Sequence, residues 1–565
     1  MTYVGNRLVE LLEVYGVRYI FGVPGGQTLG LYKGVLDRSN GLQSVQHVLL
    51  RDERSCVFAA DAFARLSHTT GVCDATVCPG ATNLVSGLAE AYASSIPLVA
   101  IVSDVDRSWG HLRQRAVASQ ALESTQMMFA PVTKWFGRLE TPDGVSDFVD
   151  TAFGMANSGR PGPVVLEIPE DVFLAPLEAS IPHRARPRTW PWFACAPDPD
   201  QVSTAAQVLT NARRPAIIAG AGVLASRAQD VLVEMAEVLT APVATTMSGK
   251  GAVSEQHQCA VGVIGSMGVP IANEIVRRAD VVLLIGSKAG QGSMVRWGLL
   301  SPDATVVYID IDPANFGLSG RVVPLWADAR LAMTELLLTV TRGAGHSEWN
   351  LSEVAADRNA WRKGTLETAS EQGDLRPPAI VDLLDRSVGS NVILVCDASL
   401  SSGWGATYFA VDGADRRYLA PRGLAGLGWG APAAIGAALA DNSKRVVCLA
   451  GDGAWAYSMG EVESMVRLGL PILSVVLNNQ VLAWSKHGQT KRLGGQHLST
   501  DFSPVDFATA ATGLGAQGRT IKTLSQLERA VHEWRGNSRT TVLDIATDQD
   551  ETPVLPSASF QISDA

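Results

Sequence analysis

An apolar run, VVCLA (446–450), delivers the triplet Gly451-Asp452-Gly453. After 24 intervening residues (454–477), the asparagine pair Asn478-Asn479 closes a second apolar run, PILSVVL. Glycines let main-chain N–H groups approach an anion closely, and a helix starting there turns the positive end of its dipole toward it. The segment AWAYSMGEVESMVRLG (454–469) predicts a helix, so the two runs read as strands joined by one crossover. Asp452 and Asn479 would then meet at the carboxyl ends of adjacent strands, where open α/β sheets bind ligands. A carboxylate and an amide oxygen are hard donors that suit Mg²⁺, which completes its octahedron with phosphate oxygens and water. A plain glycine turn accounts for GDG alone, but not for GDG, one crossover and an asparagine pair together.

A second group of chemistry-bearing residues lies far away in the chain. Arg51-Asp52-Glu53-Arg54 precedes a small-residue helix, SCVFAADAFAR, and the run CPGATNLVSGLAEAYASSIPLVAI follows. In isolation such a charge cluster reads as solvated surface. Its distance from Gly25-Gly26 and the run behind it favour a functional Glu53. Two further stretches, DASLSSGWG (397–405) and LAPRGLAGLGWGAPAAIGAALA (419–440), read by themselves as glycine-rich helix starts.

The elements that must position these residues follow from the apolar pattern. Short β-branched runs alternate with helical patterns: VRYIFGV (17–23), PLVAIVS (97–103), PVVLEIP (163–169), PAIIAGAG (215–222), DVVLLIG (280–286), TVVYIDID (305–312), RVVCLAGDG (445–453) and PILSVVLNN (471–479). Runs that are apolar throughout and separated by helices suit parallel strands covered on both faces. A proline-rich stretch at 176–200 reads as a linker, and the polar stretch 341–378 as a second boundary. The expectation is an α/β protein of three doubly wound parallel-sheet domains, at 1–175, 195–340 and 376–550.

Composition narrows the function classes. The 565 residues carry a formal net charge of −10, which argues against nucleic acid as the main partner. Seven scattered cysteines without a CxxC argue against structural zinc and a disulfide framework, and fit a reducing compartment. MTYVGNRLVELLEVYGV has helical spacing without a signal-peptide core, and no run reaches the roughly 18–20 apolar residues of a membrane span. The expected location is cytoplasmic, with no membrane partner.

Taken together, the motifs resemble those of the thiamine diphosphate enzymes, whose diphosphate motif is GDG, some 25 residues, then NN. Their RHEQ…AADGYAR segment resembles RDER…AADAFAR here. The resemblance covers nearly the whole chain and implies a pyrimidine-binding, a central and a diphosphate-binding domain, in that order. It implies Asp452, Asn479 and the main-chain oxygen of Val481 as Mg²⁺ ligands. Gly451, Gly453, Ala454 and Trp455 would lie against the diphosphate, with Ser399, Leu400 and Ser401 on its other side. Glu53 would hydrogen-bond the aminopyrimidine, favouring the imino tautomer that removes the proton from the thiazolium carbon. Pro79 and Asn83 would pack on the pyrimidine. Leu427 would be wedged between the two rings, and the Ala425 carbonyl would take the pyrimidine amino group. Because such cofactors lie between the first domain of one subunit and the third of another, a homodimer is the implied minimum and a homotetramer is common.

Within the family, the sequence resembles the group of acetolactate synthase, pyruvate oxidase and benzaldehyde lyase. That implies Gly26 and Gln27 on a pocket loop, and Gln120 at a glutamine that contacts the cofactor-bound intermediate. Gln27 and Gln120 join Glu53 as the expected catalytic set, and Gln480, Leu482, Trp484 and His487 would form the lid side. Two departures stand out around the glutamate, Asp52 for the usual His and Arg54 for the usual Gln. In the central domain the paired-arginine motif is GSKAGQGSM (286–294), with Lys288 at the first arginine and Gly292 at the second; Arg296 is the nearest substitute charge. Gly488 stands where acetolactate synthases carry a selectivity tryptophan. These changes argue against FAD and weaken keto-acid acceptor recognition. The expected reaction is decarboxylation of a 2-keto acid such as pyruvate with transfer of the acyl-anion equivalent to an acceptor carbonyl. The alternative is an acyloin or 2-hydroxyacyl-CoA lyase, and a third reading is a non-catalytic protein of this fold.

Overall fold

In the computed structural model, which describes residues 2–38, 44–115, 125–177, 187–318, 320–340, 347–371 and 375–552, the apolar runs form three six-stranded sheets, each parallel throughout. The first orders its strands Gln46–Leu49, Tyr19–Gly22, Gly71–Ala75, Leu98–Asp104, Val164–Pro169 and Trp135–Arg138. The third runs Arg416–Leu419, Val392–Cys396, Arg445–Gly451, Leu473–Asn478, Thr541–Ala546 and Gln517–Ile521. Counted along the chain, both have the order 2-1-3-4-6-5. The middle sheet, from Pro215–Ala219 to Arg321–Trp326, has the order 3-2-1-4-5-6 found in dinucleotide-binding folds. Interior strands such as Leu98–Asp104 and Val281–Ile285 are buried along their whole length. Edge strands such as Gln46–Leu49 and Arg321–Trp326 mix buried and exposed positions, which is why their polar residues mask the pattern in sequence.

The chain divides into two compact units. The first combines residues 1–193 with two segments from much later, 421–442 and 458–470. Within it, helix Gly430–Ala440 packs along helix Glu53–Ser67. The approach is so close that a Cβ on Gly436 would fall on the carbonyl of Ala59. Alanines on Glu53–Ser67, and alanine with glycine on Gly430–Ala440, make that approach possible. The second unit holds 194–420, 443–457 and 471–565, with the middle and third sheets inside it.

Three local expectations change. The segment after Gly453 is two helices, Asp452–Ser458 and Glu461–Arg467, rather than one. The second belongs to the first unit, where Glu461 accepts the main-chain N–H of Arg51 (3.1 Å) and Arg467 donates to the carbonyl of Leu49 (2.7 Å). In the stretch read as a linker, Pro176–Leu177 pairs antiparallel with Thr2–Tyr3, and Trp190 is buried beside His68. The polar boundary 341–378 contains the 21-residue helix Leu351–Glu371.

Candidate functional site

In the first unit, Glu53 opens the helix Glu53–Ser67. Asp52 is its N-cap, and its carboxylate accepts the N–H of Arg54 at 2.8 Å. The residue that departs from the family pattern thus fixes the start of the helix, a use for which aspartate is well suited. Asn83, on helix Pro79–Ser94, donates its amide to Glu53 Oε2 at 2.9 Å. A Cβ on Gly80 would sit 3.1 Å from Glu53 Oε1, so the chain passes close on that side. The strand Gly71–Ala75 feeds this helix start, and beyond it Thr76 donates its hydroxyl to Gln27 Oε1 at 3.2 Å. Glu53, Asn83, Pro79 and Gln27 therefore gather around the carboxyl ends of the Tyr19–Gly22 and Gly71–Ala75 strands. Gly26 is exposed with open space around it. Gln120 lies outside the described residues.

The turn 25–28 is anchored from beneath by residues that periodicity does not flag. Thr28 donates its hydroxyl to the Gly25 carbonyl (2.9 Å), and Tyr32 donates to Asp74 Oδ2 (2.6 Å). Asp74 is fully buried, with His47 Nε2 at 2.8 Å from its other oxygen. Ala425 and Leu427 also belong to this unit, in the stretch that leads into helix Gly430–Ala440. Ala425 is exposed and holds a left-handed φ of 58°. Leu427 is half-buried.

In the second unit, strands Arg445–Gly451 and Leu473–Asn478 pair in parallel, with Gly451 opposite Leu477. That register brings the loop after Asn478 against Asp452, whose Oδ2 accepts the N–H of Gln480 at 2.6 Å while Oδ1 accepts that of Gly453 at 2.8 Å. Asn479 Oδ1 accepts from the Val481 N–H at 3.3 Å. Asn478 is committed elsewhere, to the carbonyl of Val505 and to Asp544 (3.0 Å each). Ala454 and Trp455 are buried in the helix that Asp452 begins. Ser399 holds φ 70° ahead of helix Leu400–Tyr408, and the Ser401 hydroxyl is spent on the carbonyls of Asp397 and Ala398 (3.0 Å each).

The segment past the asparagine pair is braced. Leu482 donates its N–H to Thr500 (2.8 Å) and Phe502 to Gln480 (2.7 Å), with Val481 bridged to Asp501. Gln480 is exposed at φ 60°, Trp484 is exposed, and His487 is half-buried on helix Ala483–Arg492. Burial, more than the nearby Lys486, pushes His487 below its ordinary value, which favours the neutral ring. In the altered central motif, Lys288 is exposed and the Gly292 carbonyl accepts the Ser266 N–H (2.8 Å), while Gly488, on helix Ala483–Arg492, faces open space.

The donor set fits a metal-bound diphosphate. Burial raises the Asp452 carboxyl to about 6 despite the two amides it accepts, the mark of a carboxylate short of positive charge. A Cβ added at Gly451 meets no atom, so the turn leaves room for an anion. Among the described residues no three His, Cys, Asp or Glu side chains could hold a metal together. A cation at Asp452 would therefore rely on amide, main-chain and ligand oxygens, as Mg²⁺ does.

Comparison with known proteins agrees along the chain. The N-terminal TPP-binding domain of thiamine pyrophosphate enzymes matches residues 2–127, the central domain of these enzymes 202–336, and their C-terminal TPP-binding domain 397–545. The "Probable acetolactate synthase large subunit" of Methanococcus aeolicus is 30% identical over 563 residues, covering 96% of this chain and 92% of that protein. The protein of the same description from Methanocaldococcus jannaschii is 30% identical over 98% of this chain and 93% of its own. The "Acetolactate synthase isozyme 3 large subunit" of Escherichia coli is 29% identical, with 97% and 95% covered.

Proposed function

The chain belongs to the thiamine pyrophosphate enzymes, in their acetolactate synthase group, and on that premise we propose that it is a Mg²⁺-dependent carboligase that decarboxylates a 2-keto acid such as pyruvate and passes the acyl unit to an acceptor carbonyl. The observation that carries the metal and diphosphate reading is the Asp452–Gln480 contact, which draws Gly451-Asp452-Gly453 and the loop of Asn479 and Val481 into one turn. Thiamine diphosphate, when bound, would supply the carbon nucleophile for the keto acid. Asp452, Asn479 and the Val481 carbonyl would hold Mg²⁺, and Gly451, Gly453, Ala454, Trp455 and Ser399–Ser401 would line the diphosphate site. Glu53, oriented by Asn83, hydrogen-bonds the pyrimidine and sets which nitrogen carries the proton. Gln27, Gln120, Gln480, Leu482, Trp484 and His487 orient the reacting carbonyls and keep water away from them.

In this reading residues 1–175 bind the pyrimidine, 376–550 the diphosphate, and 195–340 form a central layer. Two chains then share each cofactor, so the smallest working unit is a cytoplasmic homodimer, with the tetramer as its pairing. The acyloin or 2-hydroxyacyl-CoA lyase reading draws support from the central loop. There Gly292 uses its carbonyl to pack against Ser266, and the Trp297 indole N–H closes the loop on the Ala289 carbonyl (3.0 Å).

Glu53→Gln is the direct test: turnover falls by at least about 100-fold, the size of a lost general acid–base contribution, while thiamine diphosphate still binds. Undiminished turnover would remove the mechanism. A screen of keto-acid donors and carbonyl acceptors with product identification separates the two readings. Release of CO₂ from pyruvate supports the carboligase, and cleavage of an acyloin without CO₂ supports the lyase.

A further inference from the structure

The loop that enters helix Gly430–Ala440 is held by charged groups buried inside the first unit. Glu90, on helix Pro79–Ser94, is 1% exposed. Its two oxygens accept three consecutive main-chain N–H groups, from Gly423 (2.9 Å), Leu424 (2.6 Å) and Ala425 (2.9 Å), together with the Ser94 hydroxyl (2.7 Å). Arg65 donates to it at 3.4 Å and pairs with the fully buried Asp61 at 2.8 Å. Asp61 in turn accepts the indole N–H of Trp429 at 3.1 Å, and the Arg65 guanidinium lies 5.3 Å from the centre of that ring.

Residues 423–429 are thus tied at both ends, by Glu90 at 423–425 and by Asp61 at Trp429. Between the ties lie Ala425 and Leu427. The clamp also explains a conformation: Ala425 keeps a left-handed φ of 58°, which is strained for a non-glycine residue and persists only where the surroundings impose it. Three amides on one carboxylate are such a constraint. A Cβ on Gly423 would strike the Glu90 carbonyl, so the loop has no slack on that side.

We propose that Glu90 is a positioning residue: it sets the main chain at 423–425 so that Ala425 and Leu427 meet the pyrimidine of the cofactor in one fixed pose. This rests on the cofactor reading given above. Glu90 touches no reacting atom; it acts through the loop. Arg65 and Asp61 complete the clamp from the helix that begins with Glu53, so one pair of helices presents the activating carboxylate at its start and fixes the pyrimidine loop farther along.

The test compares wild type with Glu90→Gln, which keeps the shape and removes the charge that gathers the amides. In the protein without cofactor, hydrogen exchange at 423–425 should speed up by at least about tenfold, the scale of a hydrogen bond to a charged acceptor. Thiamine diphosphate affinity with Mg²⁺, followed by tryptophan fluorescence, should weaken by about tenfold or more. The near-UV circular dichroism band of the bound aminopyrimidine should change, and Glu90→Asp should recover part of the affinity. Unchanged affinity and an unchanged dichroism band would overturn the proposal, even with a lowered Tm, since that pattern marks a purely structural carboxylate. Should Glu90→Gln fail to fold, Ser94→Ala removes one bond from the same carboxylate and should weaken affinity by roughly threefold; wild-type affinity there would overturn the proposal too. Failure of the wild-type protein to bind thiamine diphosphate would instead sink the cofactor reading, and the part assigned to Glu90 with it.

Discussion

The two carboxylates that share Arg65 differ in what surrounds them, and that difference sets their protonation. Burial would raise Glu90, but Arg65 and the amides of Gly423 and Ala425 outweigh it and hold it below its ordinary range. Asp61 has no such amides, and burial raises it from 3.8 to about 6 against the pull of Arg65. A carboxyl raised on folding binds its proton more tightly in the folded state. Its contribution to stability is therefore complete below about pH 4 and lost as pH rises through about 6. Asp61→Asn keeps an acceptor for the Trp429 indole and cannot titrate. Between pH 4 and pH 7 the stability of wild type relative to this variant should fall by roughly 2–3 kcal/mol, measured as unfolding free energy or as Tm against pH. A difference independent of pH would contradict it. Little of this was legible in sequence. Glu53, Asp452 and Asn479 stand out through motif spacing, but Asp61 and Glu90 lie inside alanine-rich helices where one acidic residue reads as solvated. Their burial depends on a loop 333 residues from Glu90 at Gly423 and 368 from Asp61 at Trp429, and no local pattern carries that.

At the scale of elements, the parallel sheets were readable because interior strands are apolar on both faces. The break at Met459-Gly460 was not, because both helices around it have helical composition and the break follows from where Glu461 and Arg467 find partners. The helix pair Glu53–Ser67 and Gly430–Ala440 makes a sharper claim. Its approach depends on the missing side chain at Gly436, whose Cβ would meet main chain rather than a movable side-chain end. Gly436→Ala would gain helix propensity of about 1 kcal/mol on an exposed surface. Here the clash should win and destabilise the protein by about 2 kcal/mol or more, read as a lower Tm and weaker thiamine diphosphate binding. A variant at least as stable as wild type would show that the helices can move apart freely.

For the whole molecule, the proposed sharing of each cofactor between two chains has a signature no single-chain site would give. Glu53→Gln and Asp452→Asn should each be inactive alone. Co-expressed, half of the dimers are mixed, and each mixed dimer has one site with neither lesion, so activity should return to about a quarter of wild type. No recovery in demonstrably mixed dimers would place both residues at a cofactor held by one chain. The three-sheet plan was visible in sequence, whereas the grouping of the chain into two compact units was not. That grouping rests on contacts of 421–442 and 458–470 with residues that precede them by hundreds of positions.

The same grouping constrains how the protein is made. Residues 1–193 lack two of their packing segments until translation has passed the intervening residues 194–420. At about 5–20 residues per second, that interval lasts roughly 10–45 s. For that time the small-residue face of helix Glu53–Ser67, and the Asp61–Arg65–Glu90 charges, emerge from the ribosome without the helix and loop that cover them. A chain truncated before residue 421 would carry that uncovered face permanently.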